Sequence, residues 1–360
     1  MGKAAKRPKR KAESKANTKP KLQAKAKPKS PKLKSPSKSK TTVKAPLYLT
    51  EADVRRLVTV EDAMATLEVM FATWSDATTV NLPRQRARVG TGALNLMGAA
   101  WGARQVFGLK AYYAGANGGR FDVLLYSAVD GKLKAMIEAD YLGRMRTGAA
   151  SGLATKLLAN PGARTLGVIG AGRQALTQVA AVCAARPIET VSVFTRTPGH
   201  REDFARKIER ELGVAAKPVA SGEAAVGDAD VIITITKSAV PVLRANWLKS
   251  GVHVNVAGAN ADGRREVDGE TVLRATVRAT DQVAQARVEA GEFRDLVAAG
   301  RLQWQDIVEL GDLATGKATG RNGPADITLF KSLGIALEDI AFADLIFQRA
   351  IERGADKPMC

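Results

Sequence analysis

The sequence predicts an α/β protein in which a doubly wound parallel sheet follows a smaller α+β unit. Three observations carry that prediction. From residue 165 to 281 short apolar strands alternate with helical stretches, the pattern of βαβ units and of a parallel sheet. Between residues 84 and 138 strand-like runs succeed one another with turn pairs between them, Gly118-Gly119 and Asp130-Gly131, as in an antiparallel sheet. A helix predicted over 329–352 is too long and too apolar to end free in water. It is expected to pack back on the first unit and make that unit discontinuous.

The elements follow in order. Folded sequence begins near Leu47. Thr50 is placed to cap a short helix starting Glu51-Ala52-Asp53, and a second helix is expected over 60–74. Strands are expected over 84–89, 93–97, 106–113, 121–127 and 134–138. A helix over 139–159 repeats Leu142, Met145, Ala149, Leu153 and Leu157 at three- and four-residue spacing, and Pro161-Gly162 ends it. The alternating region has strands at 165–170, 190–196, 230–236, 253–258 and 276–281, with helices at 174–185, 201–212 and 247–250. The expected organisation is a tail over 1–44, a first domain over 45–160 completed by 330–360, and a second domain over 161–329.

Charge is unevenly placed. The formal net charge is +19, yet residues 1–44 hold seventeen Lys/Arg against a single acid, Glu13, while 45–360 has 38 Lys/Arg against 35 acids. The tail is mostly Lys, Ala, Pro and Ser, which cannot bury enough apolar surface to offset ordering entropy, so disorder is expected. Its plainest reading is a solubilising extension. Weak polyanion binding by counterion release and an organellar address are the alternatives. It lacks the interleaved aromatics of a folded nucleic-acid module.

Other classes are excluded more simply. No apolar run reaches the roughly 18 residues of a membrane span, and the charged amino end has no apolar stretch behind it, unlike a secretory signal. Cys183 and Cys360 cannot form a disulfide framework, and no Cys/His cluster has metal-ligand spacing. A cytoplasmic protein without a metal is expected. His200 and His253 are the only histidines, so mechanisms that need a catalytic imidazole are poorly supplied.

The most informative string is Gly170-Ala171-Gly172-Arg173-Gln174-Ala175. It leaves an apolar strand and opens an Ala-rich helix, the context in which GxGxxA marks a Rossmann-type dinucleotide site. Gly170 permits the tight turn, Gly172 lets backbone approach a pyrophosphate, and the helix start offers unpaired N–H groups. No acid lies between Thr190 and Arg201 to bind a ribose 2′-hydroxyl. The strand runs instead into Thr195-Arg196-Thr197, suited to a 2′-phosphate, so NADP(H) is the expected cofactor and NAD(H) is possible. Thr234 and Thr236 reach the same carboxyl edge of the sheet, where ligands sit.

Residues for chemistry are fewer. Lys110 lies in the otherwise apolar strand 106–113, a costly place for an ammonium unless it lines a pocket or is paired. Arg84, Arg86 and Arg88 alternate and should share one side of a strand. Arg146-Thr147-Gly148 sits in the helix just before the nucleotide unit. Asn260, Asp262 and Arg264 leave the fourth strand at the ligand edge.

Taken together, these motifs resemble the ornithine cyclodeaminase/mu-crystallin family. The matching pieces are Leu82-Pro83-Arg84, Gly108-Leu109-Lys110, Arg146-Thr147-Gly148-Ala149-Ala150, the glycine string, the 258–266 string and Asp326-Ile327-Thr328-Leu329-Phe330-Lys331-Ser332. The resemblance implies a homodimer with a discontinuous substrate-binding and dimerisation domain beside a Rossmann domain. It gives Arg84, Arg146 and Arg264 to the substrate, Lys110 to substrate and proton transfer, and Thr147 and Ser332 to the cofactor. Arg196 and Thr197 are similar to those of NADPH-type members. Where cyclodeaminases have a catalytic aspartate, this chain has Asn260, which cannot take a proton near neutral pH; Asp262 is a nearby carboxylate that could substitute. The expected activity is therefore NAD(P)H-dependent reduction of a small imino acid to an L-amino acid such as proline. Ornithine cyclisation, alanine-dehydrogenase-like activity and non-catalytic NADPH binding are the alternatives.

Overall fold

The computed structural model describes residues 1–2, 45–115, 118–261 and 263–354. Nearly all of the expected disordered tail, together with Asp262 and Cys360, lies outside the described residues. Among the described residues the strands form two sheets.

The first sheet contains β1 (Leu47–Leu49), β2 (Val80–Val89), β3 (Gly92–Trp101), β4 (Val106–Gly115), β5 (Gly118–Ser127) and β6 (Leu133–Glu138), in the order β1-β6-β5-β4-β3-β2. Its pairings are antiparallel except for β1 on β6. Before β2 come α1 (Glu51–Leu57) and α2 (Val60–Ala72), each opened by a capping box, Thr50 with Asp53 and Thr59 with Asp62. Side chains alternate across the sheet. Asn95, Met97 and Trp101 of β3 face inward with Val106 and Lys110 of β4, while Leu96, Phe107 and Leu109 face out.

The arginines of β2 keep the alternation their spacing predicts, Arg86 and Arg88 standing opposite Asn95 and Ala93 on one face of β3. The β2–β3 register slips between Leu82 and Gln85, at Pro83, which has no N–H to give the ladder. Leu82 therefore points out while Arg84, two residues on, is buried. Arg84 is buried, and Arg86 and Arg88 on the same face are exposed, Arg86 at the cavity's edge.

The long helix α3 (Asp140–Leu158) leads to the second sheet. That sheet holds β7 (Thr165–Ile169), β8 (Thr190–Phe194), β9 (Ala215–Pro218), β10 (Val231–Thr234), β11 (His253–Val256), β12 (Val277–Thr280), β13 (Ile307–Glu309) and β14 (Thr328–Lys331). All its pairings are parallel, in the order β13-β12-β14-β11-β10-β7-β8-β9. The connections run outward from β7 through β8 and β9, then return to β10 on its other side. The crevice between β7 and β10 is thus the topological switch point. Helices α4 (Ala175–Ala185), α5 (Pro198–Leu212), α6 (Gly222–Val226), α7 (Gly269–Arg274), α8 (Val283–Glu289), α9 (Gly291–Ala298) and α10 (Leu310–Thr315) lie between the strands, and α11 (Ala336–Glu352) closes the described chain.

Two sequence expectations need correction. Residues 328–331 form β14, between β11 and β12 in the middle of the second sheet, and the helix begins only at Ala336. A short apolar run buried on all sides carries no period to separate strand from helix. The helix expected over 247–250 is a single 3₁₀ turn, Ala245–Trp247, since so short a segment cannot repay helix nucleation. From Ala336 onward α11 packs on the first sheet. Ile340, Phe342, Ile346 and Phe347 share its core with Leu125, Ile137 and Leu142. Each such side chain contributes about 1.5–3 kcal/mol on burial, so the first sheet depends on chain that follows the second. No described helix is long and apolar enough to cross a membrane.

Candidate active site

A cavity of about 480 Å³ opens between the two sheets. Four elements wall it: the inner face of β2–β5 (Arg84, Arg86, Asn95, Met97, Lys110, Tyr112, Phe121), the first turns of α3 (Asp140, Gly143, Arg144, Arg146), the turn after β7 (Arg173, Gln174), and the loop after β11 (Asn260, Ala261, Arg264).

Lys110 is 4% exposed, and its Nζ donates to Asp339 Oδ1 at 2.8 Å. Burial pulls its pKa down to about 8, against the opposing pull of the Asp339 carboxylate and with help from nearby Arg146. The Tyr112 and Phe121 rings stand 5.8 and 5.7 Å away, within cation–π range. Gly143 on α3 makes room for the ammonium: a Cβ there would lie 2.9 Å from Nζ.

Arg146 is fixed by α11. Its Nε donates to the same Asp339 oxygen at 2.9 Å and its Nη1 to Glu338 Oε2 at 3.0 Å, while Nη2 has no partner among the described residues. The arginine pulls Asp339 below the usual carboxylate range; burial and the neighbouring Asp281 push Glu338 well above it. Arg84 is more fully committed. Its Nη1 donates to both oxygens of Glu289 at 2.9 and 2.8 Å, its Nη2 to the carbonyls of Leu333 and Gly334, and its Nε toward Met97 Sδ. In this arrangement Arg84 holds the wall together. Arg86 also reaches Glu289, at 2.9 Å, and donates to Asn95 Oδ1 and to the Asn260 carbonyl at 2.6 Å. Asn260 is thereby tied to the first sheet.

The edge of the second sheet fits a dinucleotide. Gly170 has φ +114, and a Cβ on it would meet the Ile235 carbonyl at 2.5 Å; a Cβ on Gly172 would meet nothing within 4 Å. The first residue turns the chain where no side chain fits, and the second faces open space beside Ala171 and the start of α4, whose N-cap Gln174 makes no capping bond. Thr234 Oγ1 and Ser332 Oγ are buried without a partner, at the ends of β10 and β14, and buried hydroxyls are rarely left so. Thr236 is engaged instead: its N–H and hydroxyl both donate to Glu266 Oε1 at 2.6 and 2.8 Å. Glu266 Oε2 also accepts from the N–H groups of Gly258 and Ala259, so this buried carboxylate clasps the two loops at the switch point.

Lys110, Arg84, Arg146, Arg173, Gln174, Asn260 and Arg264 thus meet in one cavity. Thr147 does not line it; its buried hydroxyl donates to the Gly143 carbonyl at 2.7 Å. Arg196 and Thr197 are exposed at the tip of β8, on the other side of β7 from Thr234 and Ser332. Sequence reasoning missed the buried acids Asp281, Glu289, Glu338 and Asp339. The one available signal was acids inside an otherwise apolar helix, at 338, 339 and 344.

The sequence pattern of the ornithine cyclodeaminase/mu-crystallin family matches residues 44–354. The chain belongs to that family. Among curated members it is similar to a Δ1-pyrroline-2-carboxylate reductase of Bacillus cereus, 36% identical over 233 residues, 64% of this chain and 71% of that one. It is also similar to the iminosuccinate reductase of Paracoccus denitrificans, 31% identical over 319 residues, 86% of this chain and 98% of that one. Two solved family structures share the fold. The Thermococcus litoralis Δ1-pyrroline-2-carboxylate reductase in complex with NADH and L-proline superposes with a TM-score of 0.82 at 30% identity, covering 86% of this chain and 98% of that one. An archaeal alanine dehydrogenase dimer with bound NAD gives 0.82 at 28%, covering 88% and 99%. The family's Rossmann-type parallel sheet is the second sheet described above.

Proposed function

We propose that this family member reduces small α-imino acids to amino acids with NAD(P)H. The observation that carries the reading is the placement of Lys110: a desolvated ammonium in the wall of the cavity that also contains the turn after Gly172. A nicotinamide dinucleotide held by Thr234, Ser332 and the start of α4 would supply the hydride for the imine carbon. The chain's own groups do the rest. Arg146 offers its free Nη2 to the substrate carboxylate, with Arg84 adding positive charge from behind. Lys110 holds a proton at Nζ beside the imine nitrogen, a role that needs a pKa near the working pH. Thr234 Oγ1, Ser332 Oγ and the start of α4 hold the dinucleotide, and Arg196 with Thr197 takes a 2′-phosphate, which favours NADPH. Asn260 orients substrate or water and cannot act as a base. That feature supports reduction of a preformed imine over ornithine cyclisation, which requires proton removal from an amine.

The test is a panel of cyclic imino acids and α-keto acid/amine pairs assayed with NADPH and with NADH. Oxidation of cofactor dependent on the imine is expected. Release of ammonia and proline from ornithine, with no net change in cofactor and no reduction of any imine, would overturn the assignment.

A further inference from the structure

Glu266 is a fully buried acid that the chemistry above does not use. Its Oε1 accepts the Thr236 N–H at 2.6 Å and the Thr236 hydroxyl at 2.8 Å, and its Oε2 accepts the N–H groups of Gly258 at 2.6 Å and Ala259 at 3.1 Å. Four donors meet the four lone-pair sites that an ionised carboxylate offers. Its backbone is held as well. The Glu266 N–H donates to Glu292 Oε1 at 3.0 Å, and the same oxygen accepts from Lys331 Nζ at 3.1 Å. Lys331 is itself buried and immediately precedes Ser332. Burial pushes the Glu266 carboxyl toward its neutral form, and Lys331 with the bonds from Thr236 and Gly258 opposes that.

There is no slack around this carboxylate. A Cβ on Gly258 would lie 2.2 Å from the Thr236 N and O atoms and 2.6 Å from Glu266 Oε1. The segments leaving β10 and β11 thus meet backbone to backbone. Asn260 is the residue after Ala259, and its carbonyl accepts from Arg86 at 2.6 Å. The stretch 258–260 is therefore pinned twice, by Glu266 at its start and by Arg86 at its end, where it joins the cavity wall. Resting on the reading that the cavity reduces an α-imino acid, we infer that Glu266 is a positioning residue for that reaction, acting through the backbone at 258–259 to hold Asn260 at the cavity wall. Glutamine cannot replace it. An amide presents one accepting oxygen and one donating nitrogen, so either Thr236 or the Gly258–Ala259 pair would face a donor and leave buried N–H groups unsatisfied.

A double-mutant cycle on the full chain tests this, with NADPH and Δ1-pyrroline-2-carboxylate as the probes. Glu266→Gln and Asn260→Ala should each lower kcat/KM by roughly tenfold or more, since a misplacement of about 1 Å is that costly. Because both act at one place, the double variant should fall to within about twofold of the worse single one. Additive losses, or a native kcat/KM for Glu266→Gln, would overturn the inference and leave imine reduction standing. Should Glu266→Gln fail to fold, Thr236→Val, which removes only the hydroxyl donor, replaces it in the cycle; its smaller loss should be equally non-additive with Asn260→Ala. Hydrogen exchange gives a readout that needs no turnover. The amides of residues 236, 258 and 259 should exchange roughly tenfold or more faster in Glu266→Gln, with those of β7 and β8 unchanged. Unaltered protection at the three amides, or faster exchange throughout the sheet, would overturn the inference. If the native chain reduces no imine, the functional reading fails, and hydrogen exchange alone then decides whether Glu266 holds the 258–260 stretch.

Discussion

Lys110 and Asp339 are 229 residues apart in sequence and 2.8 Å apart in space. Burial alone would discharge the lysine; the carboxylate keeps its pKa near 8. On the proposed reading protonated Lys110 is the competent form, so kcat/KM for imine reduction should fall as pH rises through about 8. Asp339→Asn removes the group that raises the pKa, so the alkaline limb should move to lower pH; an unmoved limb would show that the pair does not govern the step. At the other end of the cofactor, Arg196→Asp should raise the KM for NADPH at least tenfold more than that for NADH, a charge-assisted contact being worth about 1.5–3 kcal/mol. Equal effects would remove Arg196 from the 2′-phosphate. At this scale Lys110 was legible because a lysine in an apolar strand demands a reason. Its partner was not, because an acid on a helix shows no sign in sequence of which distant cation it will meet.

Among the elements, α3 and α11 set the site, one through a missing side chain and the other through buried acids. Gly143 lies in the interior of α3, where alanine would favour the helix by up to about 1 kcal/mol. Gly143→Ala should therefore leave the Tm unchanged or raised, yet put a methyl against the ammonium and lower kcat/KM by roughly tenfold or more, since sub-ångström placement matters in catalysis. Loss of activity together with a lower Tm would indicate general damage. The sequence-derived elements were strongest where period or punctuation was clear: the capped α1, the apolar stripe of α3, the glycine turn after β7. They failed at β14, whose residues 329–331 read as the start of α11.

At the scale of the molecule, an apolar sheet face is uncovered among the described residues. Leu82, Leu96, Phe107, Leu109 and Tyr113 on the outer side of β2–β4 are between 37% and 57% exposed, and a contiguous patch of that kind marks an association surface. We propose that a second copy covers it in a homodimer. Sedimentation should show a dimer for the native chain and a monomer for Leu109→Glu; a native monomer would contradict this. The strand–helix alternation made the two-sheet plan legible from the sequence, whereas the cavity between the sheets follows from long-range packing that no local pattern encodes.

The central claim is that a C=N bond is reduced in that cavity with Lys110 as the proton-holding group. It is tested most directly by following NADPH oxidation with an α-imino acid in the native chain and in Lys110→Met, with cofactor binding monitored by fluorescence. The expected result is a fall in kcat of roughly 10²-fold or more, the usual contribution of a general acid, with NADPH still bound. Turnover by Lys110→Met at the native rate would contradict the account.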